Sequence, residues 1–174
     1  FTAGTTALQY FASDVQIASI VFWTFGDVGR VVWRELGFIS LITLGGSLYF
    51  IYYSWDYNAL DAGDETAKSL GVAVDKVRLG GMFAASLITS LIVSLVGIIG
   101  FVGLVAPHIV RKIIGGNEKY LLPLSALSGG LLLLISDTTA RTLFAPVVLP
   151  VGILTSFLGV PIFLYLIIKG RQYW

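Results

Sequence analysis

Apolar residues in this chain fall into long runs separated by short polar breaks. Gly37 to Tyr53 carries no charge and is just long enough to span a bilayer core. Ser54 to Arg78 then changes character. Asp56, Asp61, Asp64, Glu65, Lys68, Asp75, Lys76 and Arg78 make it the one hydrophilic segment. Leu79 to Val110 follows, with no formal charge beyond what His108 carries. As one straight helix it would run about 48 Å, against a hydrocarbon core about 30 Å thick. It therefore divides into a full span and a shorter piece, and Gly97, Gly100, Gly103 and Pro107 mark the expected break.

After the polar turn Arg111 to Lys119, Tyr120 to Ser136 is a third span, ending at Asp137 and Arg141. Leu143 to Ile168 is a fourth, closed by Lys169 and Arg171. Phe1 to Gly26 carries only Asp14 and reads as the end of one span followed by a short helix around Val15 to Phe25. The runs predict an all-α, polytopic transmembrane bundle of about five membrane helices, one of them short and broken. The whole chain, residues 1–174, is then one membrane domain, with residues 54–78 as its cytoplasmic loop.

Basic residues set the orientation. With Ser54–Arg78 inside, Lys68, Lys76, Arg78, Arg111, Lys112, Lys119, Lys169 and Arg171 all lie on the cytoplasmic side, and only Arg30, Arg34 and Arg141 lie outside. The opposite orientation reverses that split. The bookkeeping requires Phe101–Ile114 to cross with its neighbours' help, since irregular backbone at membrane depth must be buried in protein or line a cavity.

Composition agrees with the pattern. The chain is 56% hydrophobic and 12% charged, half the charge of an ordinary soluble domain, about 25%. Mean hydropathy is +0.89. A net charge of +1 gives no basic excess for a nucleic-acid partner, and the absence of Cys excludes disulfides and thiolate metal sites. The chain begins at Phe1 without a signal-peptide pattern, and reads as a piece of something longer.

Candidate chemistry is sparse. There is no GxxxxGK[ST], no HExxH and no Gly-x-Ser-x-Gly, so no catalytic residue, metal-ligand set or cofactor is expected. His108, alone beside a proline, reads as a structural hydrogen-bonding residue that holds the kink, not as a ligand or relay. In the polar loop Asp61 or Asp64 is a candidate N-cap, Glu65 falls in a first turn, and Gly71 suits the C-terminal cap. A second short helix would run from Val72 to Arg78. Such a pair of helices is either a grip for a cytosolic partner or a solvated connector. Asp137 and Arg141, four apart, share a helix face. Asp137 anchors the helix end at the interface, or Arg141 receives an acidic partner from outside. Trp23, Trp33, Trp55 and Trp174 fit an interfacial aromatic belt.

Several stretches resemble one family in order. They are GFVGL-x-x-PH-I-x-R at Gly100–Arg111, LLPLSAL at Leu121–Leu127, D-x-x-AR at Asp137–Arg141, LPVG-x-x-T at Leu149–Thr155 and the tail at Gly159–Leu166. FWTFGDVGRVVW at Phe22–Trp33 and ALDAGDETAKSLGV at Ala59–Val72 add to them. Together they resemble the C-terminal half of FecCD-type permeases, the membrane subunits of ABC importers for iron–siderophores, haem, vitamin B12 and similar metal chelates.

The resemblance implies a cell-membrane subunit without enzymatic activity of its own. It works as a homodimer or with a complementary permease half, and ATP is hydrolysed on a cytosolic partner. An extracytoplasmic substrate-binding protein docks outside. It assigns Asp64, Glu65, Ala67, Lys68, Leu70 and Gly71 to ATPase coupling. It assigns Arg141 to binding-protein docking, with Arg30 and Arg34 as weaker versions. It makes Gly97, Gly100, Gly103 and Pro107 pathway or hinge backbone. Asp64 stands where the family usually has Glu, Thr66 where Ala is frequent, and the first half of a complete member is not in this sequence.

The alternatives are a secondary transporter or a membrane-embedded scaffold. A proton-coupled carrier wants acidic groups mid-membrane, and the long runs hold none. An intramembrane enzyme wants a pair of reactive groups at depth, and only His108 is there. An importer needs few such groups, because its energy comes from a partner.

Overall fold

The computed structural model describes residues 2–143 and 148–170. All regular structure among them is helical. Helices α1 (Thr2–Phe11) and α2 (Asp14–Thr24) lead through a 3-10 turn at Val28–Arg30 into α3 (Trp33–Tyr52). Two short helices follow, α4 (Ser54–Asp61) and α5 (Asp64–Ser69). Then come α6 (Val74–Val96), α7 (Val102–Ile114), α8 (Glu118–Leu143) and α9 (Val151–Gly170).

Three helices, α3, α6 and α8, are long and apolar enough to cross a membrane. Their 20, 23 and 26 residues give about 30, 35 and 39 Å. Helix α7 has 13 residues, about 20 Å, so it is the stunted crossing that the sequence requires.

The predicted runs need four corrections. Helix α3 begins at Trp33, not Gly37, because the Glu35 carboxylate accepts the Val32 N–H at 3.1 Å and caps the extra turn. The polar segment starts with a helix of its own, α4, which the charge pattern did not separate. The second short helix expected at Val72–Arg78 is the first turn and a half of α6. Finally, the backbone breaks only across Gly97–Phe101. Gly103 and Pro107 lie within continuous α7. Pro107 deletes one backbone bond, and in an apolar bundle neighbouring groups compensate for such a loss. Of the fourth predicted span, 144–147 lie outside the described residues, as does Arg171.

Helices α7 and α8, joined by a three-residue turn, form the tightest pair; α9 packs on both. Helix α3 packs on α6 and α8, and α4 sits across α8. The interior is built of small side chains. Ala106 and Ala140 are buried, and Gly129 lies against Val102 and Ala106. Close approach of backbones replaces the large-residue core of a soluble domain, because lipid is as apolar as leucine and large side chains gain nothing by turning inward. Accordingly Leu41, Leu48, Leu127 and Phe83 face outward.

At the expected outer end three segments meet backbone to backbone. The Asp27 N–H donates to the Val96 carbonyl at 2.8 Å, and the Gly152 N–H to the Gly26 carbonyl at 3.1 Å. Trp23 Nε1 donates to the Ser94 carbonyl at 3.3 Å. Gly97 has φ 77° and ψ −168°, a conformation essentially confined to glycine. A Cβ there would strike the Trp23 carbonyl, and one on Gly152 the Phe25 carbonyl. Phe101, with φ 67°, is the only non-glycine at positive φ among the described residues. It packs against α9 at Gly159, where a Cβ would collide with its side chain.

Candidate functional site

Helix α5 is the most exposed regular element on the polar side. Gly63, not Asp61 or Asp64, is its N-cap residue, with φ 105° and ψ 151° that the aspartates would not adopt. Asp64 and Glu65 occupy the first turn, where their charge complements the helix dipole. At the other end the Val72 N–H reaches the Ala67 carbonyl and the Gly71 N–H reaches the Lys68 carbonyl, both at 3.0 Å. This paired arrangement stops the helix at Gly71, φ 85°.

Ala67 is fully buried and is the only buried residue of α5. Glu65, Lys68 and Leu70 point away from the bundle, with Leu70 68% exposed. Asp64 is turned back toward α6, where its carboxylate accepts from Arg78 at 2.8 Å. Glu65 and Lys68 of α5 and Leu70 just after it thus form an exposed patch of mixed charge and apolar character.

Below α5, α4 grips its neighbours. The Tyr57 hydroxyl occupies the space where Gly81 lacks a Cβ. Burial first, then the neighbouring Tyr49, pushes its phenol up. Asn58 Oδ1 accepts the Glu118 N–H at 2.8 Å, and its amide donates to Asn117 Oδ1 at 3.4 Å. Asn117 Oδ1 also accepts the Lys119 N–H at 3.1 Å. The buried Glu118 carboxylate accepts from Arg111 at 2.7 Å, and Asp61 from the same guanidinium at 3.4 Å. Lys119 lies over the Trp55 and Tyr120 rings, and Lys112 over Tyr165.

The three arginines expected outside differ in their surroundings. Arg141 Nε donates to Asp137 at 2.8 Å, the pair that their spacing of four on one helix face allows. Its other end lies over Gly29, where a Cβ would crowd Nη2. Arg30 donates to the Phe22 carbonyl at 2.8 Å, capping the C-terminus of α2, and lies 3.7 Å from Asp27. Arg34, in the first turn of α3, is exposed. Both Arg30 and Arg141 are thus held in place by an aspartate and by backbone nearby.

The four hinge candidates separate. Gly97 and Gly103 line one cavity of about 530 Å³ between α3, α6 and α7. Gly103 and Pro107 line a groove of about 1010 Å³ between α7 and α8. Gly100 lies beside Ser156 of α9. His108 is exposed at the groove, and its imidazole makes no hydrogen bond among the described residues, so it does not hold the kink through one. No group of three or more His, Asp or Glu able to hold a metal occurs among the described residues.

Asn58, Asn117 and Glu118 were missed from the sequence. Asn117 ahead of a helix start was a readable cap signal, but the partnership with Asn58 has no local signature.

Comparison with known proteins identifies the family. The sequence model of the FecCD transport family matches residues 1–169. A protein named "Putative ABC transporter permease protein MJ0087", from Methanocaldococcus jannaschii, is 60% identical over 169 residues, covering 97% of this chain and 48% of its own length. The hemin transport system permease protein HmuU of Yersinia pestis is 39% identical, over 98% of this chain and 51% of its own length. A solved structure titled "An inward-facing conformation of a putative metal-chelate type ABC transporter" superposes with a TM-score of 0.89 at 34% identity, covering 97% of this chain and 56% of that one. The chain spans about half the length of the curated relatives it matches. This multi-pass membrane chain belongs to the FecCD transport family.

Proposed function

We propose that the chain supplies half of the membrane-spanning permease of an ABC importer for a metal chelate, in the iron–siderophore, haem and cobalamin class. It sits in the cytoplasmic membrane and pairs with a complementary permease half or a second copy. A cytosolic ATPase docks on Glu65, Lys68 and Leu70 of α5, with Asp64, Ala67 and Gly71 fixing the helix. An extracytoplasmic binding protein docks on Arg141, Arg30 and Arg34. Gly97, Gly100, Gly103 and Pro107 belong to the pathway or its hinge. The chain performs no chemical step. It turns closure of the ATPase into a rearrangement of packed helices.

The observation that carries this reading is α5, a charged helix held by one buried alanine beside an otherwise apolar bundle, on the side that holds most of the lysines and arginines. Names among the relatives (hemin transport for one, vitamin B12 import for another) support the substrate class.

The test is co-expression of the chain and its complementary half with a cognate ATPase. Glu65→Arg, and separately Gly71→Pro, are expected to abolish co-purification of the ATPase. Undiminished association in both variants would remove the coupling assignment.

A further inference from the structure

Helix α4 holds the α7–α8 turn at two points. The first N–H groups of any helix lack intrahelical partners. In α8 one of them, on Glu118, is satisfied in trans by Asn58, sixty residues away, at 2.8 Å. At the end of α4, Asp61 reaches Arg111 in the last turn of α7. Arg111 in turn holds the buried Glu118 carboxylate at 2.7 Å. Basic last turn and acidic first turn therefore meet with their dipoles complementary. One residue pair, Ala62–Gly63, separates α4 from α5, and Asp64–Arg78 fastens α5 to α6. Thus α5 reaches α6 directly and the α7–α8 hairpin through α4.

We propose that Asn58 and Asp61 are positioning residues that carry displacement of α5 to the inner end of α7. The inference rests on the reading of α5 as the ATPase contact. It adds which side chains pass the motion on, and to which helix. Side-chain contacts suit that task. They hold two helices in register yet exchange partners when one shifts, whereas a backbone-on-backbone seam does not. If the network only stabilised the fold, its loss would lower stability without separating the movements of α5 and α7.

The absence of Cys allows paired labelling at introduced sites. The chain, its complementary half and the ATPase are assembled in lipid nanodiscs. Spin labels are placed at Ile113→Cys on α7 and Leu41→Cys on α3, both exposed. ATP with vanadate is expected to shift their separation in the parent. In Asn58→Leu/Asp61→Asn the ATPase should still co-purify, while the ratio of shifted to unshifted label separations under ATP and vanadate falls at least about fivefold, the lower end of ordinary coupling between sites. Asp61→Asn alone, at an exposed position, should give an intermediate loss and serves if the double variant misfolds.

An undiminished shift with the ATPase bound would overturn the proposal. So would loss of ATPase binding in Asp61→Asn, since the network would then place α5 and not transmit its motion. Failure of the ATPase reading itself is separate. It appears as parent chain whose co-purification is indifferent to Glu65→Arg.

Discussion

The two ends of the bundle are joined by opposite means. At the end expected outside, Gly26, Gly97 and Gly152 bring three segments into direct backbone contact, with the Trp23 indole as an added side-chain bond. At the inner end α4 meets the α7–α8 turn through Asn58, Asp61, Arg111, Asn117 and Glu118. A seam without Cβ atoms has one arrangement, because every alternative is a collision or a lost backbone bond. A polar side-chain network has several arrangements of similar energy. The proposed function calls for that distribution: a permease driven from its cytoplasmic side would have a fixed point far from the ATPase and an adjustable link near it.

The comparison is broken most severely at the outer seam. Gly97→Ala must leave a glycine-only conformation, and Gly152→Ala must push the Phe25 and Ile98 carbonyls aside. Each is expected to cost about 3 kcal/mol, combining backbone strain with overpacking. Thermal unfolding in detergent measures it. A cost no larger than the about 2 kcal/mol expected for Glu118→Ala would mean that the seam yields as readily as the inner network.

Glu118→Ala removes a buried carboxylate that accepts from Arg111. A loss of about 2 kcal/mol is expected from the charged hydrogen bond, less than at the seam because Asp61 remains to hold Arg111. The same melting experiment ranks the two ends. A larger loss here than at Gly97 would invert the account.

Arg141→Glu is the mildest change. Arg141 is half exposed and belongs to the rim of the proposed docking face. Stability should hardly move. Capture of the binding protein should slow several-fold and become more sensitive to salt, as rim charges act chiefly on association rate. Unchanged capture would leave Arg141 only its pair with Asp137 within α8.

The division between what the sequence discloses and what it hides follows range. Helices α3, α6 and α8 were legible because a run of about 20 apolar residues has few other uses. The break after Val96 was legible at Gly97 and Gly100, and was overextended to Gly103 and Pro107. A proline in a membrane helix does not end it when neighbours satisfy the freed carbonyl. Glu65 and Gly71 were readable from cap chemistry. The N-cap was assigned to an aspartate because Asp is a favoured cap type, whereas the turn demanded a positive φ. Helix α4 mixes aromatic and polar residues without a clear period, and its meaning comes from Asn117 and Glu118, about sixty residues away. The Asp137–Arg141 pair was legible from the spacing of four on one helix face. Gly29 beneath it was not readable.

The most direct measurement places a photocrosslinking residue at Glu65 in one variant and at Thr142 in another. Each is expressed with the ATPase and the complementary permease half in native membranes. The account predicts an adduct with the ATPase from position 65 on α5 and none from position 142 near the outer end of α8. An ATPase adduct from Thr142, or none from Glu65 while the ATPase still co-purifies, would contradict both the orientation and the coupling assignment.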